Sequence, residues 1–156
     1  MPDTPEAPSE IAPLHVLLVD DDQTFLSMMQ AMLGSLGVTQ ITTAANGSDA
    51  YQKLVSTDKV IDCILCDFGM SGGNGLQLLQ AVRTGRIKVV RPDACFILVT
   101  GSGQPTVVEA AAQLDVNGYL VKPVTPKSIE TAIIKGRAKP VRLDFTKYGN
   151  VIPPRP

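Results

Sequence analysis

The chain has 156 residues, is 44% hydrophobic and carries a formal net charge of −1, which fits one globular domain with a sizeable core and is too short for two ordinary ones. That balance gives no electrostatic case for nucleic acid or an anionic membrane, and no apolar run approaches the ~20 residues needed to span a bilayer. Three cysteines and one histidine provide no second metal-ligand pair, and three thiols cannot all pair internally, as suits a reducing compartment.

Residues 1–12 open on MPDTPEAPSE, acidic and proline-rich, the opposite of a basic-then-apolar signal peptide. A short disordered leader and a cytoplasmic protein are expected. Leu14–Val19 (LHVLLV) then reads as a strand buried on both faces, as in a parallel sheet. His15 sits one residue into it, as a strand-edge residue. Phe25–Leu33 carries Leu26, Met29 and Leu33 at helical spacing, with its three methionines as core packing and Gly34 and Gly37 as the stop. A strand Gln40–Ala45, a helix near Ser48–Ser56 and a strand Val60–Cys66 follow. Cys63 and Cys66 have CxxC spacing, but a strand points them to opposite faces, so both read as buried structural cysteines. A glycine-rich loop leads to a helix around Leu76–Thr84. Strand Ala94–Val99, helix Pro105–Leu114 and strand Gly118–Val121 come next. Thr125 followed by Pro126 is an N-cap with proline at the first helical position, opening a fifth helix.

This alternation predicts an α/β fold, (βα)5, with a doubly wound parallel five-stranded sheet. Ligands in such folds bind beyond the carboxyl ends of the strands. Past the first strand lie Asp20, Asp21 and Asp22; past the third, Asp67; past the fourth, Thr100; at the end of the fifth, Lys122. Lys122 precedes Pro123, which restricts its backbone to extended geometry. These side chains span about 100 residues of sequence yet are predicted to converge on one edge. Close carboxylates raise one another's pKa unless a cation intervenes. Oxygen ligands without imidazole or thiolate select magnesium, or manganese. Lys122 and the Thr100 hydroxyl can grip two oxygens of a phosphoryl group, and Asp67 is placed to attack phosphorus and carry it as an aspartyl phosphate.

The segments LLVDDD, LCDFGMSGGNG, LVTGS and GYLVKP resemble the receiver domain of two-component response regulators, from about Leu14 to Gly136. The resemblance implies a flavodoxin-like strand order, 2-1-3-4-5, and a receiver domain at 13–136. It implies Asp67 as phosphoacceptor, Asp21 as direct metal ligand, Asp20 as a ligand through water, and the Gly69 carbonyl completing the metal shell. It also implies Thr100 and Tyr119 as a switch pair, the hydroxyl moving to the phosphate while the ring turns inward. Asp22 caps the first helix. The phosphoryl donor would be a histidine kinase or histidine phosphotransfer protein, with an unidentified downstream protein as target, homodimer formation left open, and no nucleic acid or membrane. In the family a proline usually stands four residues after the phosphoacceptor; here it is Ser71, which makes that loop more mobile. Gly69 and Ser102 are small at two positions that tune hydrolysis, which implies a short-lived phosphoryl group.

Residues 137–156 form a proline-rich C-terminal tail with no helical period and no DNA-binding or catalytic output domain, so a stand-alone receiver is expected. The tail is either disordered or a docking or dimer segment, since Val141, Leu143, Phe145 and Tyr148 are more apolar than a linker requires. Three rival functions meet specific objections in the residues. A haloacid-dehalogenase-like phosphatase needs a second aspartate two residues after its nucleophile, where Gly69 stands. A degenerate receiver acting as a constitutive scaffold is opposed by the full set of Asp20, Asp21, Asp67, Thr100 and Lys122. A nucleotide-binding fold lacks both GxGxxG and a P-loop. The signalling receiver is therefore not expected to be an enzyme beyond its own phosphorylation and dephosphorylation.

Overall fold

The structure, a computed structural model, describes residues 8–68, 75–101 and 105–152. Five parallel strands, β1 (His15–Val19), β2 (Gln40–Ala44), β3 (Ile61–Asp67), β4 (Val90–Thr100) and β5 (Gly118–Val121), form one sheet in the order β2-β1-β3-β4-β5. All five residues of β1 are buried; the sheet is covered on both faces, so apolar runs rather than alternating patterns mark its central strands.

Helices α1 (Gln23–Ser35) and α5 (Pro126–Ala138) cover one face, where Leu26, Met29, Leu33, Ile129 and Ile133 meet Val16, Leu18, Cys63, Leu65 and Ile97. Helices α2 (Gly47–Ser56), α3 (Gly75–Arg83) and α4 (Pro105–Gln113) cover the other, where Ala50, Leu54, Leu76, Leu79 and Ala111 meet Leu17, Ile64, Cys66, Phe96 and Leu98. Cys63 and Cys66 thus lie on opposite faces, both buried, as their spacing in a strand requires. Strand order reverses between β1 and β3, which opens a crevice at their carboxyl ends.

Several local expectations are corrected. Gly34 lies inside α1; the stop is Gly37, at φ +92, following the C-cap Leu36. Of the three methionines, Met29 is buried, Met32 packs at the core margin and Met28 faces outward, because only one stripe of α1 meets the sheet. His15 is buried between neighbours, not at an edge, and its Nε2 lies 2.7 Å from the Thr42 hydroxyl. β4 begins at Val90, four residues before the expected Ala94, since Val90 pairs with Ile61 past a register shift.

The terminal segments also differ from a disordered reading. Residues 8–12 turn back on the sheet: the Ser9 amide donates to the Leu36 carbonyl at 3.1 Å, and Ile11, 1% exposed, joins the α1–α5 core. A Cβ on Gly37 would stand 3.0 Å from the Pro8 Cβ and 3.2 Å from the Ala12 Cβ, so residues 8–12 pack directly on that turn. At the other end a short helix α6 (Phe145–Gly149), capped by Asp144, lies against α3. Tyr148 and Val151 are buried in the α2–α3–α4 core, whereas Leu143 and Phe145 stay exposed. Apolar content alone did not show which residues of the tail turn inward.

Candidate functional site

The crevice between β1 and β3 holds the acidic residues. β1 ends at Val19, and the chain passes through Asp20 and Asp21 into α1, whose N-cap is Asp22. The Asp22 carboxylate accepts from the Thr24 and Phe25 amides at 3.0 and 3.2 Å, so it is spent on the helix terminus, as expected. Asp20 is buried and accepts the Asp22 amide at 2.8 Å on one oxygen. Its other oxygen faces the Lys122 ammonium at 3.2 Å. Asp67, last residue of β3, lies 3.4 Å from the same ammonium. Asp20, Asp21 and Asp67 each offer an oxygen within 4.8 Å of the others.

Lys122 arrives from β5, adjacent to β4. Its amide donates to the Thr100 carbonyl at 2.9 Å, its peptide bond to Pro123 is cis, and its ammonium stands 4.2 Å above the Phe25 ring. The sequence reading missed Phe25, although a ring three residues past Asp22 in the first turn of α1 is the natural floor for a cation over that helix. Gly75 was missed too. A Cβ there would stand 2.8 Å from the Asp67 carbonyl oxygen, so only glycine lets α3 begin this close to β3.

The electrostatics are unbalanced. Burial, then the charge of Asp20, raises the Asp67 pKa, and Lys122 offsets part of this. Burial works against the Lys122 ammonium, yet Asp67 and Asp20 together raise its pKa. Three carboxylates therefore cluster where one ammonium reaches only two of them, an excess of negative charge that a divalent cation would neutralise. The donors are all oxygens, which suits magnesium or manganese and not a thiophilic metal.

Thr100 is buried at the end of β4. Tyr119, on β5, is 37% exposed, and its hydroxyl donates to the Val108 carbonyl of α4 at 3.0 Å. Burial of part of the ring raises its pKa. Gly69, Ser71 and Ser102 lie outside the described residues.

A five-stranded sheet in 2-1-3-4-5 order with an aspartate pocket and a lysine at its switch point defines a flavodoxin-like α/β signalling module. The chain belongs to the response regulator receiver domain family, whose pattern matches residues 16–134. Receiver domains bind magnesium in an acidic pocket of this kind. The chain is 35% identical over 120 residues to a probable chemotaxis protein CheY of Rhizobium etli, spanning 77% of this chain and 89% of that one. It is 33% identical over 122 residues to the chemotaxis protein CheY of Pseudomonas aeruginosa, spanning 78% and 94%. Among solved structures, Vibrio cholerae chemotaxis protein CheY4 superposes with a TM-score of 0.67 at 25% identity, covering 77% of this chain and 95% of that chain. A receiver domain protein from Clostridium thermocellum gives 0.67 at 25% identity, covering 78% and 91%. Among the described residues no helix is long and apolar enough to cross a membrane.

Proposed function

We propose that this receiver takes a phosphoryl group onto Asp67 from a histidine kinase or histidine phosphotransfer protein and so switches a partner-binding surface. The observation that carries this reading is the Lys122 ammonium shared between Asp20 and Asp67 at the reversal of strand order. Asp67 is the carboxylate at a strand end with its side chain still partly open to solvent; Asp20 is closed off beneath it and Asp21 lies outside. The nucleophile must be reachable by the donor, and Asp67 meets that demand. Lys122 orients its oxygen and balances charge gathering on the phosphoryl oxygens. Thr100, on the neighbouring strand, offers a hydroxyl to the same group.

Asp20, Asp21, Asp67 and the Gly69 carbonyl would hold magnesium or manganese, which when bound supplies positive charge to the phosphoryl oxygens. The chain changes only its own phosphorylation state and turns over no separate substrate. The proposed receiver domain is 13–136, with residues 137–156 as an appended segment, acting in the cytoplasm. Tyr119, Val121 and Val108 expose apolar surface across β5 and α4, and with α5 they form the surface through which the signal would leave. A phosphoryl group can bias that surface only through contacts made in one state, and Thr100 with Tyr119 would make them.

Acetyl phosphate with magnesium is expected to add one hydroxylamine-labile phosphate by mass, lost in Asp67→Asn. Beryllofluoride, a phosphoryl mimic, is expected to shift amide resonances from Gly101 to Lys135. A label surviving on Asp67→Asn would end the assignment, and shifts confined to the Asp20–Asp22 turn would end the switch.

A further inference from the structure

Towards the opposite end of the sheet, Cys63 on β3 and Cys95 on β4 are register partners on adjacent parallel strands. Neighbouring strands lie ~4.7–4.9 Å apart, within the ~4.4–6.8 Å that a disulfide spans between Cα atoms. Both side chains enter the α1–α5 core, whereas Cys66 enters the other. Cys66 therefore cannot reach either of them without breaking the sheet. The strand pairing shifts register between Ile61 and Cys63, so the backbone beside the pair is already irregular and can absorb a small adjustment.

Cys95 is buried but stands beside open space. It lines a cavity of about 240 Å³ bordered by Asp62, Arg91, Asn117, Arg137 and Lys139, far above the ~10–15 Å³ that one water needs. The neighbouring Cys63 thiol and the positive charge of Arg137 and Arg83 outweigh burial and lower the Cys95 pKa. The neighbouring Cys95 and burial raise that of Cys63. Cys95, which borders the cavity, is thus the sulfur a reagent meets first, and Cys63 beside it is the one to resolve.

We propose that Cys63 and Cys95 form a reversible intrachain disulfide when hydrogen peroxide enters this cavity. The Cys95 sulfur attacks one peroxide oxygen; an S–O bond forms, the O–O bond breaks, and the departing hydroxide takes the thiol proton as water. The Cys63 sulfur then attacks the sulfenic sulfur; the S–S bond forms, the S–O bond breaks, and a second water leaves with the Cys63 proton. Two thiols lose two electrons and one hydrogen peroxide becomes two waters. The bond ties β3 to β4 upstream of Asp67 and Thr100 respectively, on the two strands that carry them.

The test oxidises the folded full-length chain with a slight excess of hydrogen peroxide, then denatures, alkylates and maps peptides by mass spectrometry. A Cys63–Cys95 cross-link with Cys66 alkylated, reversed by dithiothreitol, is expected. Cys63→Ser should stop at a sulfenic acid on Cys95, trapped by dimedone; Cys95→Ser should form no disulfide. Circular dichroism confirms that both variants are folded before oxidation. Three free thiols after treatment, a link through Cys66, or only intermolecular links would overturn the proposal.

Discussion

Asp67 is held where its charge is least comfortable. Burial and Asp20 disfavour its ionised form, and Lys122, shared with Asp20, offsets this only in part. A neutral isostere removes one of three mutually repelling carboxylates while leaving Lys122 paired to Asp20. The lost ion pair is partly exposed and worth ~0–1 kcal/mol, less than the relieved repulsion and burial. In metal-free buffer with chelator at neutral pH, Asp67→Asn is therefore expected to unfold at higher temperature than wild type, with a gain of roughly 0.5–2 kcal/mol. Added magnesium should stabilise wild type more than the variant. Calorimetry decides the matter: a lower midpoint for Asp67→Asn would mean the Lys122 pair outweighs the repulsion. At this scale the sequence was informative where residue type carries the chemistry. Asp20, Asp67 and Lys122 are unusual immediately after apolar runs. Phe25 was silent because a phenyl ring in an amphipathic helix has the same one-dimensional signature whether it packs or carries a cation.

Elements were legible to the extent that burial is periodic. Central strands are apolar on both faces, and the caps of α5 and of α1 announce themselves through Thr125 and Asp22. What stayed hidden were contacts set by register between distant segments. Arg83 is among the largest fully buried side chains of the described residues, and its guanidinium donates to the carbonyls of Pro92, Ala94, Leu114 and Asp115 and to Asn117 Oδ1. In the sequence it reads as a solvated last-turn cation of α3. Gly75 is similar, one glycine in a glycine-rich loop, and its importance lies in what it approaches. Alanine in a helix interior gains ~1 kcal/mol over glycine, but here its Cβ would meet the Asp67 carbonyl at 2.8 Å, the Cys66 sulfur at 3.2 Å and Leu98 at 3.2 Å. Backbone on one side and core on the other leave no flexible neighbour to yield, and overpacking costs ~1–3 kcal/mol. Gly75→Ala is expected to be destabilised and to label more slowly with acetyl phosphate, because α3 must move off β3 at Asp67. A stability and labelling rate equal to wild type would show that α3 can tilt freely.

On the scale of the whole molecule, the family match ends at residue 134, while the fold continues to a core residue at Tyr148. After α5 the chain crosses the sheet edge opposite the acidic pocket and sets α6 against α3. The Gln80 side-chain amide donates to the Tyr148 and Val151 carbonyls at 2.7 Å each. The Tyr148 hydroxyl donates to Asp115 Oδ2 at 2.6 Å, and Lys147 reaches the same carboxylate at 3.0 Å. Asp115 itself turns at φ +52 just before β5. Burial of Tyr148 and its hydrogen bond to Asp115 push the phenol up to about 12 from an ordinary 10.0. The folded chain therefore keeps a proton that the unfolded chain releases first. Protons bound in the folded state exceed those in the unfolded state between these values, so stability falls as pH rises. The Tyr148 contribution is whole below about pH 10 and gone above about pH 12. Tyr148→Phe keeps the buried ring but loses the hydrogen bonds to Asp115 and the Arg142 carbonyl. It is expected to be about 1–2 kcal/mol less stable at neutral pH. Lysines titrate in the same alkaline range, so the decisive quantity is the difference between wild type and Tyr148→Phe in urea unfolding. That difference should shrink steadily from about pH 10 to about pH 12; if it stays constant across the range, the hydroxyl is not holding the tail to Asp115.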